Sequence, residues 1–116
     1  MYHIYMVGCE GGSIYTGIAA HLQRRLREHV NKAPTAAKYT RSHAVISLEC
    51  VWRAEEKGAA LRLERAIKGL RREEKLQLIA APERMAQLLP QLSAQDYIHV
   101  PGITLEDCLK GETPCT

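Results

Sequence analysis

Apolar positions change their period several times along the chain, and each change marks an element. In "YHIYMV" (residues 2–7) and "SIYTGI" (13–18) the alternation has period two and the residues are rich in Ile, Val and Tyr, which predicts two strands. Ile4 and Met6 then share one face, while His3, Tyr5 and Val7 share the other. Between the runs lies "GCEGG", whose glycines at 8, 11 and 12 accept positive φ, so a hairpin is expected. A register centred on Glu10 would set Tyr5 opposite Tyr15.

The period then lengthens. "AHLQRRLREHVNK" reads as an amphipathic helix with Leu22, Leu26 and Val30 as its stripe; His29 falls within that stripe, Arg25 lies at its edge, and Arg24, Arg27 and Glu28 point away. "NKAPTAAKYTRSHA" follows as a basic loop. "VISLECVW" returns to period two and predicts a third strand, with Ile46, Leu48, Cys50 and Trp52 on one side and Val45, Ser47, Glu49 and Val51 on the other. A long helical stretch, "EKGAALRLERAIKGLRREEKLQLI", carries the stripe Ala60, Leu63, Ile67 and Leu70, with a break expected near Gly69 and an end at Pro82. "PERMAQLLPQL" predicts a short helix opened by proline, and the residues beyond it carry no clear period. The order strand, strand, helix, strand, helix, helix implies an α+β fold: a small three-stranded antiparallel sheet flanked by helices. We expect a domain over residues 1–82 and a helical or extended extension over residues 83–116, packed on it or trailing it.

Composition narrows the class. Hydrophobic residues at 46% and charged residues at 25% are ordinary for a soluble globule of 116 residues. No apolar run approaches a membrane span and no secretory layout opens the chain, so no membrane partner and a cytoplasmic location are expected. Cys9, Cys50, Cys108 and Cys115 form no C-x-x-C pair, which favours reduced thiols over disulfides and argues against structural zinc. The net charge of +3 is mild, but thirteen of the sixteen Lys and Arg fall between Arg24 and Arg72, leaving the remainder net acidic. Such a centre suits a polyanion.

Taken together, "HIY" and "YTG" with tyrosines ten residues apart, "RRLREH" on the next helix, "KYTR" in the loop and "ALRLERAIKGLRREEK" after the third strand resemble the GIY-YIG nuclease module. The resemblance covers residues 2 to about 79 and is nearest to small bacterial stand-alone GIY-YIG proteins. It implies hydrolysis of DNA phosphodiester bonds with one divalent ion, Mg²⁺ or Mn²⁺, at low sequence specificity or with selectivity for DNA shape. Branched or damaged DNA are then candidate substrates. By position it assigns catalytic roles to Tyr5, Tyr15, Arg25, His29 and Glu64, with Glu64 the metal ligand, and substrate contacts to Gly17, Lys38, Tyr39, Arg41 and Lys68. A phenol is a poor base at neutral pH and needs help from a neighbour, whereas a guanidinium suits phosphate through its planar fork. "HIY" stands where the family has "GIY", and Ala20 stands where an N-cap is usual. The rival expectation is a nucleic-acid-binding module that keeps the fold without cleaving. Singly, each residue has a plainer role: an aromatic pair for the tyrosines, an ordinary core histidine for His29, and an i, i+4 ion pair for Glu64 and Lys68.

Overall fold

The computed structural model describes residues 1–32 and 36–110. Its sheet has four antiparallel strands rather than three: β1 (Tyr2–Cys9), β2 (Ile14–Ala19), β3 (Val45–Ala54) and β4 (Ile98–His99), in the order β2-β1-β3-β4. The fourth strand is two residues long and pairs with Trp52 and Arg53, too short to show any alternation in sequence. The helices are α1 (Leu22–Val30), α2 (Lys38–Ser42), α3 (Lys57–Lys68), α4 (Arg72–Ala80), α5 (Met85–Leu88) and α6 (Leu105–Lys110).

The hairpin forms, but its register is centred on Gly11: Tyr5 pairs with Gly17 and Tyr15 with Val7. Gly11 and Gly12 carry the positive φ values of 81° and 83° that shape the turn, while Gly8 continues β1. Because the shift from the expected register is two residues, every side chain keeps its face. The tyrosines remain on one side of the sheet as diagonal neighbours instead of direct partners.

In β3 the expected alternation breaks. Met6 pairs with Cys50 but Val7 with Leu48, and Gly8 pairs with Ser47 but Cys9 with Val45. Glu49 and Ile46 are thus extra residues opposite β1. Each bulge reverses the alternation beyond it. Leu48 accordingly leaves the Cys50 and Trp52 face and packs with Tyr5, Val7 and Val51, and Ile46 is 63% exposed.

Two cores result, one on each sheet face. Ile4, Met6, Cys50 and Trp52 meet Ala60, Leu63 and Ile67 of α3 and Leu78 of α4. Tyr5, Val7, Cys9 and Val51 meet Leu22 and Leu26 of α1 and Cys108 of α6. Gly69 ends α3 where the break was expected, and Pro82 opens a 3₁₀ turn leading into α5. The basic loop contains the short helix α2; its residues 33–35 lie outside the described residues, as does Cys115. The first position of α1 follows His21, which makes no side-chain cap.

The segment after Pro82 supplies side chains to both cores. Met85, Leu89 and Tyr97 join the first, where the Tyr97 hydroxyl donates to the Ala59 carbonyl at 2.7 Å, and Trp52 Nε1 donates to the Pro82 carbonyl at 3.3 Å. Leu89→Ala should therefore cost about 2–5 kcal/mol in denaturant unfolding, as for any core leucine. Leu76→Ala, at a position 46% exposed, should stay within about 0.5 kcal/mol.

Candidate active site

The Tyr5 face of β1 and β2 is where the chain spends polar groups inside its core. Tyr5 is buried, and it can lie across the sheet because its partner Gly17 has no side chain: a Cβ there would sit 2.5 Å from the Tyr5 hydroxyl oxygen. The close approach that this glycine permits is intramolecular. It aims the phenol at α1, whose stripe brings His29 inward to full burial.

There Tyr5 Oη lies 2.7 Å from His29 Nε2, and His29 Nδ1 lies 2.6 Å from Thr40 Oγ1 on α2. Thr40 donates its single hydroxyl proton to the Ala37 carbonyl at 3.0 Å, so toward His29 it can only accept. Both Thr40 contacts are satisfied together when His29 carries its proton on Nδ1. Nε2 presents a lone pair, and Tyr5 must donate to it. One backbone carbonyl thus sets the direction of the whole chain of hydrogen bonds.

Charge is resisted at both ends of the Tyr5–His29 bond. Burial, followed by Arg25, lowers the His29 pKa from 6.5 to about 4, with Glu28 acting in opposition. Burial also raises the Tyr5 phenol above its usual value; Tyr15 and Glu64 add to this, while Arg25 pulls it down by charge and hydrogen bonding. Arg25 also pairs with Glu28 at 3.0 Å. Glu28 is consequently turned toward Arg25 and half-buried rather than pointing away, because one turn of helix brings the two side chains together.

Tyr15 completes the aromatic surround, with its ring centroid 6.5 Å from that of Tyr5 and 5.6 Å from that of His29. Glu64 and Lys68 come from α3, which packs on the opposite face, and they reach this site at the open β2 edge. Lys68 Nζ stands 5.6 Å from the Tyr15 centroid and 3.3 Å from the Glu64 carboxylate. On α2, Tyr39 stacks against Tyr15, and Lys38 and Arg41 are exposed on the same helix.

A family model described as the GIY-YIG catalytic domain matches residues 1–77. The chain belongs to the GIY-YIG family. It is 39% identical over 82 residues to a UPF0213 protein of Fusobacterium nucleatum, covering 71% of this chain and 80% of the relative. A UPF0213 protein of Halobacterium salinarum is 39% identical over 75 residues, or 65% of this chain and 95% of that one. Among solved structures, the solution NMR structure of a UPF0213 protein from Bacillus halodurans aligns with a TM-score of 0.46 and 32% identity, over 77% of this chain and 97% of that one.

Within this GIY-YIG domain, Tyr5, Tyr15, Arg25 and His29 form one cluster, with Gly17 beneath Tyr5. Glu64 joins it through Lys68, and Tyr39 through Tyr15. Sequence reasoning missed Thr40 and Glu28. Thr40 lies inside "KYTR", and a buried histidine leaves a second ring nitrogen to be satisfied, which was the available signal. Among the described residues no group of three or more His, Cys, Asp or Glu could hold a metal. Burial, with Glu49, pushes the Cys50 thiol up to about 12. No described helix is long and apolar enough to cross a membrane.

The buried histidine has a consequence for stability. An unfolded His29 binds its proton near 6.5, whereas the folded one does so only near 4. Between these values the unfolded state holds more protons, so stability falls as pH is lowered through the window and levels off below it. Denaturant unfolding of the wild type from pH 7 to pH 4 should lose on the order of 3 kcal/mol more than His29→Gln does. Parallel curves for the two proteins would contradict the assigned burial of a neutral imidazole.

Proposed function

We propose that this GIY-YIG protein is a divalent-metal-dependent endonuclease that hydrolyses DNA phosphodiester bonds. The observation that carries the proposal is the directed chain Tyr5–His29–Thr40 lying beside Arg25. Because Tyr5 donates to His29, its oxygen keeps one lone pair, besides the one that Arg25 engages, for a water brought in with the substrate. The water can pass a proton to Tyr5 Oη while the Tyr5 proton moves to His29 Nε2. The phenol then need not become a free phenolate, which its raised pKa opposes.

Arg25 would donate to the non-bridging oxygens of the scissile phosphate, exchanging part of its pairing with Glu28 for the substrate. That contact also bears on the base. Arg25 helps to hold His29 at a low pKa, so a phosphate that offsets its charge makes His29 a stronger proton acceptor once substrate is bound. The site is in this sense armed by its substrate.

The donor set suits Mg²⁺ or Mn²⁺. Glu64 is a single hard carboxylate, 17% exposed at the rim, and these ions ordinarily bind one or two carboxylates and fill their shells with water and phosphate oxygens. Bound there, the ion would stabilise the leaving alkoxide and acidify water. Lys68, which pairs with Glu64 at 3.3 Å, would turn to a DNA phosphate when the carboxylate is engaged by the ion. Lys38 and Arg41 add sequence-independent backbone contacts.

The test is cleavage of plasmid, linear, flap and branched DNA in Mg²⁺ or Mn²⁺, using independently purified wild type, Glu64→Ala and Arg25→Ala. Metal-dependent cutting by the wild type should fall at least about 10²-fold in each variant, the scale for removing one transition-state charge partner. Equal cutting by all three would reject the assigned site. Binding without any cutting would favour a non-catalytic nucleic-acid module.

A further inference from the structure

The aromatic rings around the site are arranged in two different ways. Inside, they are tilted or edge-on: Tyr5 to Tyr15 at 46°, Tyr5 to His29 at 62° and Tyr15 to His29 at 64°. This is how aromatic side chains fill a core. Outward from Tyr15 the geometry changes. Tyr39 lies at only 12° to Tyr15 with centroids 6.0 Å apart, and His43 lies at 6° to Tyr39 with centroids 4.1 Å apart. Three rings therefore form a near-parallel ladder running outward from half-buried Tyr15 to the surface.

The ladder is ordered and accessible. His43 is tied to α2 by a 3.1 Å contact from its Nδ1 to the Tyr39 carbonyl, which holds the two rings one above the other. The wide spacing of Tyr15 and Tyr39 at so small an angle means that these rings are offset, which leaves part of the Tyr39 face uncovered. Tyr39 is in fact 37% exposed, and His43 is partly exposed. Lys68 stands over Tyr15, and the short helix α2 that carries Tyr39 also exposes Lys38 and Arg41. Parallel aromatic faces flanked by cations are the combination that binds single-stranded nucleic acid, where bases stack and phosphates pair with the basic groups. A base held in a duplex has both faces covered and could not use such a ladder.

We propose that Tyr39 and His43 form a stacking subsite for an unpaired nucleobase next to the scissile phosphate, so that the protein selects single-stranded or flapped nucleic acid over continuous duplex. The inference rests on the nucleolytic reading for the position of the phosphate, but it is tested without cleavage. In EDTA, binding of a mixed-sequence 20-nucleotide strand is compared with binding of the same sequence as duplex, and 2-aminopurine in the strand reports stacking by quenching. A ribose version of the strand, run in parallel, shows which sugar the subsite accepts.

The wild type should prefer the single strand and quench the probe. Tyr39→Ala and His43→Ala should each lower single-strand affinity roughly 5- to 100-fold, the range for losing one stacked base, bring the strand-to-duplex ratio close to one and abolish quenching. Tyr39→Phe keeps the ring and should retain both. Equal wild-type affinity for strand and duplex, or an unquenched probe on the bound wild type, would overturn the subsite. If metal-dependent duplex cutting nonetheless persisted in the cleavage assay, the subsite alone would have failed and the nuclease reading would stand.

Discussion

The hydrogen bond from Thr40 to the Ala37 carbonyl orients everything else at the candidate site. It is local, lying within one turn at the start of α2, yet it uses up the only proton Thr40 can offer. His29 must then donate through Nδ1 and accept through Nε2, and Tyr5 must donate across 2.7 Å. A buried imidazole with both nitrogens satisfied is also a cheap one to keep neutral. The fold thus orients a buried imidazole with a threonine and one backbone carbonyl, the partner at Nδ1 being a hydroxyl.

That arrangement needs three elements in register. β1 brings Tyr5, α1 brings His29 and α2 brings Thr40, and the empty side of Gly17 gives the phenol room to lie toward the helix. The bulges in β3 serve the same face, because they turn Leu48 under it along with Val45 and Val51 and so floor the core against which α1 packs. Electrostatics complete the arrangement. Arg25 depresses His29, and in the proposed nuclease it would also meet the phosphate, so one guanidinium would couple substrate and base.

Much of this was legible in the sequence where a single period governed an element. The α1 stripe put His29 inside and Arg25 at the rim, and Gly69 broke the long helix. Period two set the faces of β1 and β2, which survived a register error because that error was even. The failures share a physical cause: they depend on pairing between distant residues. Bulges at Glu49 and Ile46 are a property of β3 against β1, and a two-residue β4 has no pattern of its own. The Thr40 contact likewise follows from how α1 and α2 meet. The Arg25–Glu28 pair is the exception: it is an i, i+3 spacing within α1 that a helical wheel already offers.

The central claim is the direction of the Tyr5–His29–Thr40 chain, and ¹⁵N NMR of the histidine rings at neutral pH reads it most directly. His29 should appear as a neutral imidazole protonated at Nδ1, with an unprotonated Nε2 that accepts from Tyr5; this signature should persist well below pH 6.5, toward about 4. An imidazolium at neutral pH, or the Nε2-protonated tautomer, would contradict the account, because Tyr5 could not then hand a proton to His29.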